Sequence, residues 1–390
     1  MLQKLKKWIQ PGSLDTVFLL IVFALLTVGI VMMFSASYVS ASYKKDNPYY
    51  YFIRQILFAV LGLAVMFVVS RIRLELFKCW SLYILGICIA LLILVLVMPR
   101  TVSDKEDFRR WLEIPHVVSF QPSEVAKLGL VLFCARALSD RVKSQRRVGE
   151  KDYSIRICLV VTMLLCVLVI LERHLSGTIL MLGIGAVMLV LGGVKKKWIV
   201  FVLCAALFGL FLFLALKDKL IDILPIKDYQ KDRIYAWLDK DADPTGERWQ
   251  TNQSLYAIGS GGLFGLGLGQ SKQKFLYMPE PQNDFVFAIV CEELGFVGAV
   301  IILLTFAVLI WRGFDIAMRN KDRYSALVVM GVMSHVALQV ILNILVVTDT
   351  IPNTGIGLPF FSYGGSSLVM LLAEMGLVLS ASRASQIRKR

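Results

Sequence analysis

Apolar runs of about 18 residues or more recur along the whole chain, and a run of that length can cross a hydrocarbon layer about 30 Å thick. They fall at residues 17–37, 52–70, 79–98, 116–138, 155–171, 176–192, 197–216, 285–311, 324–348 and 358–382. Backbone donors and acceptors in lipid find no water, so each span must satisfy its own groups as a helix. The sequence therefore predicts an all-α polytopic membrane protein with about ten transmembrane helices. Composition agrees: 57% of the residues are hydrophobic and mean hydropathy is +0.70, well above an ordinary soluble domain. No soluble domain is evident, so residues 1–390 read as a single membrane domain with one large extracytoplasmic loop, 217–283.

Positive charge sets the expected orientation. Lys4, Lys6 and Lys7, then Arg71, Arg73 and Lys78, then the basic loop 139–154 and residues 195–197 would all share one side with Arg312, Arg319, Lys321, Arg323 and Arg383. Short basic loops stay cytoplasmic, which places both termini in the cytoplasm and the 217–283 loop outside a cytoplasmic membrane. The net charge of +14 then reflects topology and contact with anionic headgroups rather than nucleic acid. All seven cysteines lie within the apolar spans, with neither disulfide-framework nor metal-ligand spacing. His116, His174 and His335 are scattered, which argues against a histidine metal site. Lys4 to Lys7, the first apolar run and Ser35-Ala36-Ser37 have the outline of a signal peptide. The run is longer than a usual signal core, so an uncleaved first helix is expected.

Within the outer loop, residues 218–224 and 232–238 alternate charged with apolar and aromatic residues, as short helices at the membrane interface do. Residues 259–269 carry a glycine repeat. A dinucleotide loop would need a preceding strand and a βαβ unit, and this segment is expected outside, between membrane spans. Close backbone approach, phosphate binding by backbone NH groups and plain flexibility remain open for it.

Several charged residues are costly where they stand. Asp284 opens a strongly apolar span, with Glu292 and Glu293 two turns deeper. Such carboxylates line wet cavities, hold partners or do chemistry; an aspartate before Phe285 is also a good helix cap. Glu124 and Lys127 are three residues apart and share a helix face, close to Pro122. They are either an internal ion pair that holds helices together or a cation for a phosphate, oriented by its acid. Arg109-Arg110-Trp111 can grip a phosphate by bidentate hydrogen bonds or simply anchor the interface. Residues 351–367, with two prolines and repeated small residues, suggest a broken or re-entrant start to the last span, where Ser366 and Ser367 pack or bond across helices. Glu374, deeper in that span, must find a partner or water.

Taken in order, these segments resemble the SEDS family (shape, elongation, division and sporulation), which includes FtsW, RodA and SpoVE. The resemblance rests on RRW at 109–111, FQPSEVAK at 120–127, LSGT at 175–178, Asp243-Pro244, the 250–274 stretch, PEPQNDFVFAIVCEELG at 279–295 and PNTGIGLPFFSYGGSS at 352–367. The PEPQ form and the GLPFFSYGGSS wording are nearer the FtsW/SpoVE branch than RodA. Three departures stand out: Gln282-Asn283 before the aspartate, Arg173-His174 before LSGT, and Glu106-Asp107-Phe108 before RRW.

The resemblance implies a peptidoglycan glycosyltransferase that polymerises lipid II at the outer face of the membrane, in division or sporulation wall synthesis. Its substrates would be lipid II and an undecaprenyl-diphosphate-linked glycan, and its partners a class B penicillin-binding protein and other division or elongation proteins. In that reading Asp284 is the general base or positions the acceptor. Arg109, Arg110 and Lys127 bind the diphosphate, Glu124 orients Lys127, and Gln121 and Ser366 complete the substrate site. No cofactor is implied with certainty; a divalent cation (Mg or Mn) would suit the leaving diphosphate, although the sequence shows no dedicated ligand set. A lipid II flippase, or a noncatalytic scaffold for the penicillin-binding protein, are the alternatives, and the outward Asp284 favours the enzyme.

Overall fold

The computed structural model describes residues 10, 12–98, 111–114, 118–144, 153–194, 235, 237–238 and 248–387. Three long helices come first: α1 (Thr16–Lys45), α2 (Tyr50–Arg71) and α3 (Leu74–Val97). A short hairpin, β1 (Leu112–Ile114) and β2 (Val118–Phe120), leads into α4 (Pro122–Ser144), α5 (Tyr153–Leu171) and α6 (Leu175–Leu191). The later part holds α7 (Trp249–Gly261), α8 (Val286–Arg319), α9 (Arg323–Val347) and α10 (Gly365–Ile387). Seven of these helices are long and apolar enough to cross a membrane, and Leu175–Leu191 is apolar but shorter. Each expected span coincides with a described helix except 197–216, which lies outside the described residues.

Local chemistry explains the boundaries. Asp15 caps α1 by accepting from the Phe18 amide at 2.9 Å, and Asp322 caps α9 through Ser325. The fourth span starts later than expected. Residues from 112 to 120 pair as antiparallel strands, with Leu112 opposite Phe120, and the helix waits for Pro122, whose missing NH costs nothing at a first helical position.

Each outer helix buries one stripe and turns the other toward lipid. On α1, Phe18, Val22, Leu25, Gly29 and Met32 are buried while Val17, Leu20, Val28 and Val31 are exposed, the pattern of a helix with one face on a core. The small triplet Ser35-Ala36-Ser37 is buried inside this continuous helix. α9 and α10 form the centre: α10 packs on α2, and α9 on α8, α4 and α6.

The described helices alternate in direction from α1 to α6 and again from α8 to α10, and α7 starts at the same end as α8, so two ends are defined. At one end Arg312 pairs with Asp15 and Asp315, both at 2.8 Å, Ser380 donates to the Ile72 carbonyl, and Arg383 donates to the Gly12 carbonyl. The first and last described segments therefore meet at the same end. Lys4, Lys6, Lys7 and the basic residues 146–151 and 195–197 lie outside the described residues. The opposite end gathers the starts of α2, α4, α6, α8 and α10.

The glycine repeat does not sit apart from the membrane helices. α8 is broken at Gly295, whose φ of 69° and ψ of −172° are not helical. Residues 262–267 lie in the break and satisfy the backbone groups it frees. Leu266 and Gly267 amides donate to the Glu292 and Glu293 carbonyls, and Phe296 and Val297 amides donate to the Gly262 and Leu263 carbonyls. A Cβ on Gly295 would run into the Gly265 nitrogen, and one on Gly265 into the Glu293 carbonyl. Close backbone approach is thus the use of Gly265 and Gly295. The interfacial helix expected at 218–224 lies outside the described residues; of 232–238, Tyr235, Trp237 and Leu238 are helical.

Candidate active site

A cavity of about 1200 Å³ opens at the end that carries the α8 start. Its walls come from segments far apart in sequence: the first half of α2, the start of α4, the α5–α6 turn, the 279–284 loop, the middle of α9 and the 354–374 stretch. That is a volume suited to a large substrate, beyond the usual small-ligand pocket.

Asp284 stands half-buried in the wall, one residue before Phe285, the N-cap position of α8. The loop around it is fixed from several sides. Asn343 of α9, fully buried, donates to the Asp284 carbonyl at 2.8 Å and to the Ile356 carbonyl at 2.6 Å. The Tyr363 amide donates to the Gln282 carbonyl at 2.8 Å, and Gln250 donates to the Pro279 carbonyl at 3.1 Å. Gly355, at φ 72°, faces the Asp284 carboxylate, where an added Cβ would already touch Oδ2 at 3.7 Å. The absent side chain leaves the carboxylate its space.

Across the cavity, Lys127 and Glu124 form an ion pair at 2.8 Å, with side-chain exposures of 3% and 13%. One turn above, Gln121 Nε2 and the Ser123 hydroxyl meet His174 Nδ1 at 3.2 and 3.3 Å. The Gln121 amide donates to Ser366 at 3.4 Å, so Ser366 reaches the site through Gln121 and secures the α4 start to α10. Ser176 donates to the Thr354 carbonyl and ties α6 to the TGIG loop. The floor is a second buried pair, His335 Nδ1 to Glu374 at 2.9 Å. Glu374, whose partner was open in the sequence, has found His335.

The structure thus brings Asp284, Glu124, Lys127 and Gln121 to one cavity, with Ser366 directly behind. Arg109 and Arg110 lie outside the described residues; Trp111 lines the cavity. Glu292 and Glu293 do not line it. They are fully buried and hold residues 271–274. His174 and His335, scattered in sequence, share the cavity. Among the described residues, no three His, Cys, Asp or Glu side chains cluster as a metal site would require.

Sequence reasoning missed Arg54. Its guanidinium lies over the Tyr50 ring at 4.4 Å, it lines the cavity, and it has no ion-pair partner among the described residues. An arginine in the first turn of an apolar span was the available signal. Beside it Tyr51 meets Tyr363 edge to face at 4.9 Å.

Residues 15–387 match the FtsW/RodA/SpoVE cell cycle protein family. The chain belongs to this family. Stage V sporulation protein E of Bacillus subtilis is 40% identical over 97% of this chain and 99% of its own. The probable peptidoglycan glycosyltransferase FtsW of Trichlorobacter lovleyi is 34% identical over 98% of this chain and 96% of its own. Both names belong to the branch indicated by the wording of the motifs. Among solved structures, one described as a peptidoglycan synthase complex that coordinates polymerization and crosslinking aligns at a TM-score of 0.75, with 28% identity over 96% of this chain and 98% of that one. The rod shape determining protein RodA of Thermus thermophilus aligns at 0.67, also at 28% identity, over 95% and 97%. The chain is therefore a multi-pass membrane protein of the FtsW/RodA/SpoVE fold.

Proposed function

We infer that this chain is a peptidoglycan glycosyltransferase that polymerises lipid II into glycan strands at the outer face of the cytoplasmic membrane. Both termini face the cytoplasm in this reading, and the cavity faces out. The names of the SpoVE and FtsW relatives support the activity. The observation that carries the mechanism is the shared cavity of Asp284 and the Glu124–Lys127 pair.

The acceptor 4-hydroxyl attacks the anomeric carbon of the donor sugar. A new C–O bond forms as the bond to the lipid diphosphate breaks, and undecaprenyl diphosphate leaves with the electron pair. The hydroxyl proton passes to Asp284, whose half-buried carboxylate lines the cavity beside Gly355. A positioned base contributes about 10²–10⁴-fold. Charge growing on the diphosphate is met by Lys127, with Arg54 at the mouth as a second cation. Glu124 orients the lysine, and Gln121, backed by Ser366, shapes the wall. A class B penicillin-binding protein is the expected partner, consistent with a structural neighbour described as coordinating polymerization and crosslinking.

Asp284→Asn keeps the shape and removes the base. Purified protein carrying it, with and without the transpeptidase, should lose about 10²–10⁴-fold in lipid II polymerisation. Wild-type-like glycan strands from Asp284→Asn would remove this residue from the mechanism.

A further inference from the structure

Glu292 and Glu293 are the least expected buried charges in the chain, because they stand in a membrane helix and take no part in the cavity. We propose that they form, with Lys274, a clasp that positions Asp284, so that Glu293 and Lys274 are positioning residues for the transfer. The proposal rests on Asp284 being the base.

The bonding is dense. Glu292 accepts from the Ser271 hydroxyl, from the Lys272 amide at 2.8 Å and from the Gln273 amide at 3.4 Å. Glu293 accepts from the Lys274 ammonium at 2.9 Å, the Ser35 hydroxyl at 2.7 Å and the Ser271 amide at 3.3 Å. The same ammonium donates to the Gly269 carbonyl at 2.6 Å and to Ser35 at 3.1 Å. Lys274 is 5% exposed and Glu293 1%, so water does not compete with these bonds.

Chain path gives this cluster its consequence. From the clasp at 271–274 the backbone rises through 275–283 to Asp284. It then descends through the short helical segment 286–294 and returns to the same clasp at Glu292 and Glu293. Asp284 stands two residues before the helix, and the six steps of helix from Val286 to Glu292 carry the chain about 9 Å at 1.5 Å per residue. The acid pair therefore closes a ring with Asp284 at its far point. The break at Gly295 separates this ring from the rest of α8, and the 262–267 segment bridges the gap. Ser35 fixes the ring to α1. Bonds at the top, from Asn343 to the Asp284 carbonyl and from the Tyr363 amide to the Gln282 carbonyl, hold the backbone of the loop laterally; the clasp sets its height and tilt. Misplacement of a reacting group by about 1 Å can cost about 10²-fold in rate, so a loosened ring should show in turnover before it shows in folding.

The test uses the full-length membrane protein with its transpeptidase partner and labelled lipid II. Lys274→Met and Glu293→Gln should lower kcat by about 10–100-fold with KM nearly unchanged. Lys274→Arg, which keeps the charge, should recover most of the rate. Ser35→Ala, which removes a single hydroxyl, should give a smaller fall and guards against loss of the fold in the stronger variants. Amide exchange in the same preparations should quicken over 269–284 and stay unchanged in α9 and α10. Wild-type kcat in Lys274→Met, or a loss that Lys274→Arg does not recover and that comes with faster exchange throughout the bundle, overturns the clasp. Asp284→Asn is run alongside. If it is inactive while Lys274→Met turns over normally, the clasp fails and the base stands; if it is active, both fail.

Discussion

Lys127 offers the sharpest test, because its two possible roles predict different outcomes from one pair of substitutions. Lys127 is almost wholly buried and sits 2.8 Å from Glu124. Replacing it with Met keeps most of the volume and leaves Glu124 without its cation. Breaking a fully buried pair costs about 3–5 kcal/mol. Glu124 lines the cavity and keeps 13% side-chain exposure, so water reaches it and the cost should fall near the lower end, about 3 kcal/mol. Adding Glu124→Gln removes the stranded charge. Since an ion pair replaced as a whole is often neutral for stability, the double variant should return to within about 1 kcal/mol of wild type.

Activity then separates the readings. An ion pair that only joins helices would leave the stable double variant fully active. A lysine that meets the leaving diphosphate would leave it stable and slow, by about 10²–10³-fold, as for loss of one preorganised electrostatic contact. Denaturant unfolding in detergent measures the first quantity, and single-turnover polymerisation of labelled lipid II measures the second. A double variant with wild-type stability and wild-type rate refutes the diphosphate role. A Lys127→Met protein as stable as wild type refutes the burial argument beneath it.

Gly295→Ala should abolish a monodisperse protein peak in size-exclusion chromatography, since its φ of 69° and the opposing Gly265 backbone leave no room for a methyl group; normal behaviour would show that the break is not required. Arg54→Met should raise KM for lipid II by about 10-fold or more, the scale of a lost hydrogen bond to a charged group, while Arg54→Lys recovers only part of it because the planar stack on Tyr50 is lost.

Fold and site were legible to different degrees, for physical reasons. A bilayer imposes a length and a polarity that sequence displays directly, so nearly every span could be placed by reading. The hairpin before α4 could not, because Val117, Val118 and Phe120 satisfy helix and strand equally well by hydropathy. Asp284 stood out because an acid beside an apolar run is expensive. The same rule flagged Glu292 and Glu293, yet these are held by loop amides and a lysine; cost alone does not separate a reactive carboxylate from a structural one. The glycine repeat revealed its freedom but not its target, since the complementary break at Gly295 depends on pairing between distant backbones. Arg54 was passed over, and His174 and His335 read only as scattered, because the cavity exists only once α2, α6 and α9 are brought together.

The remaining alternative, a carrier that moves lipid II between leaflets, meets a geometric obstacle. Its polar headgroup would need a polar route from end to end. Among the described residues beneath the His335–Glu374 floor, the central helices bury Val328, Val329, Val332 and Met333 on α9, and Leu377, Val378 and Leu379 on α10, with the Ser334 and Ser380 hydroxyls turned to the Met330 and Ile72 carbonyls. From His335 to the buried Tyr324 is eleven residues, about 16 Å of helix. Below that, Arg312, Asp15 and Asp315 close the end with ion pairs at 2.8 Å. A charged group forced through so apolar a layer costs several kcal/mol per charge, whereas the proposed polymerisation in the cavity needs no passage at all. Vesicles holding the purified protein and fluorescent lipid II should therefore form polymer where the cavity faces substrate, and their leaflet exchange should match protein-free vesicles. Exchange clearly above that background, persisting in Asp284→Asn, would show that the central helices part and that the closed end is only one state of a transporter.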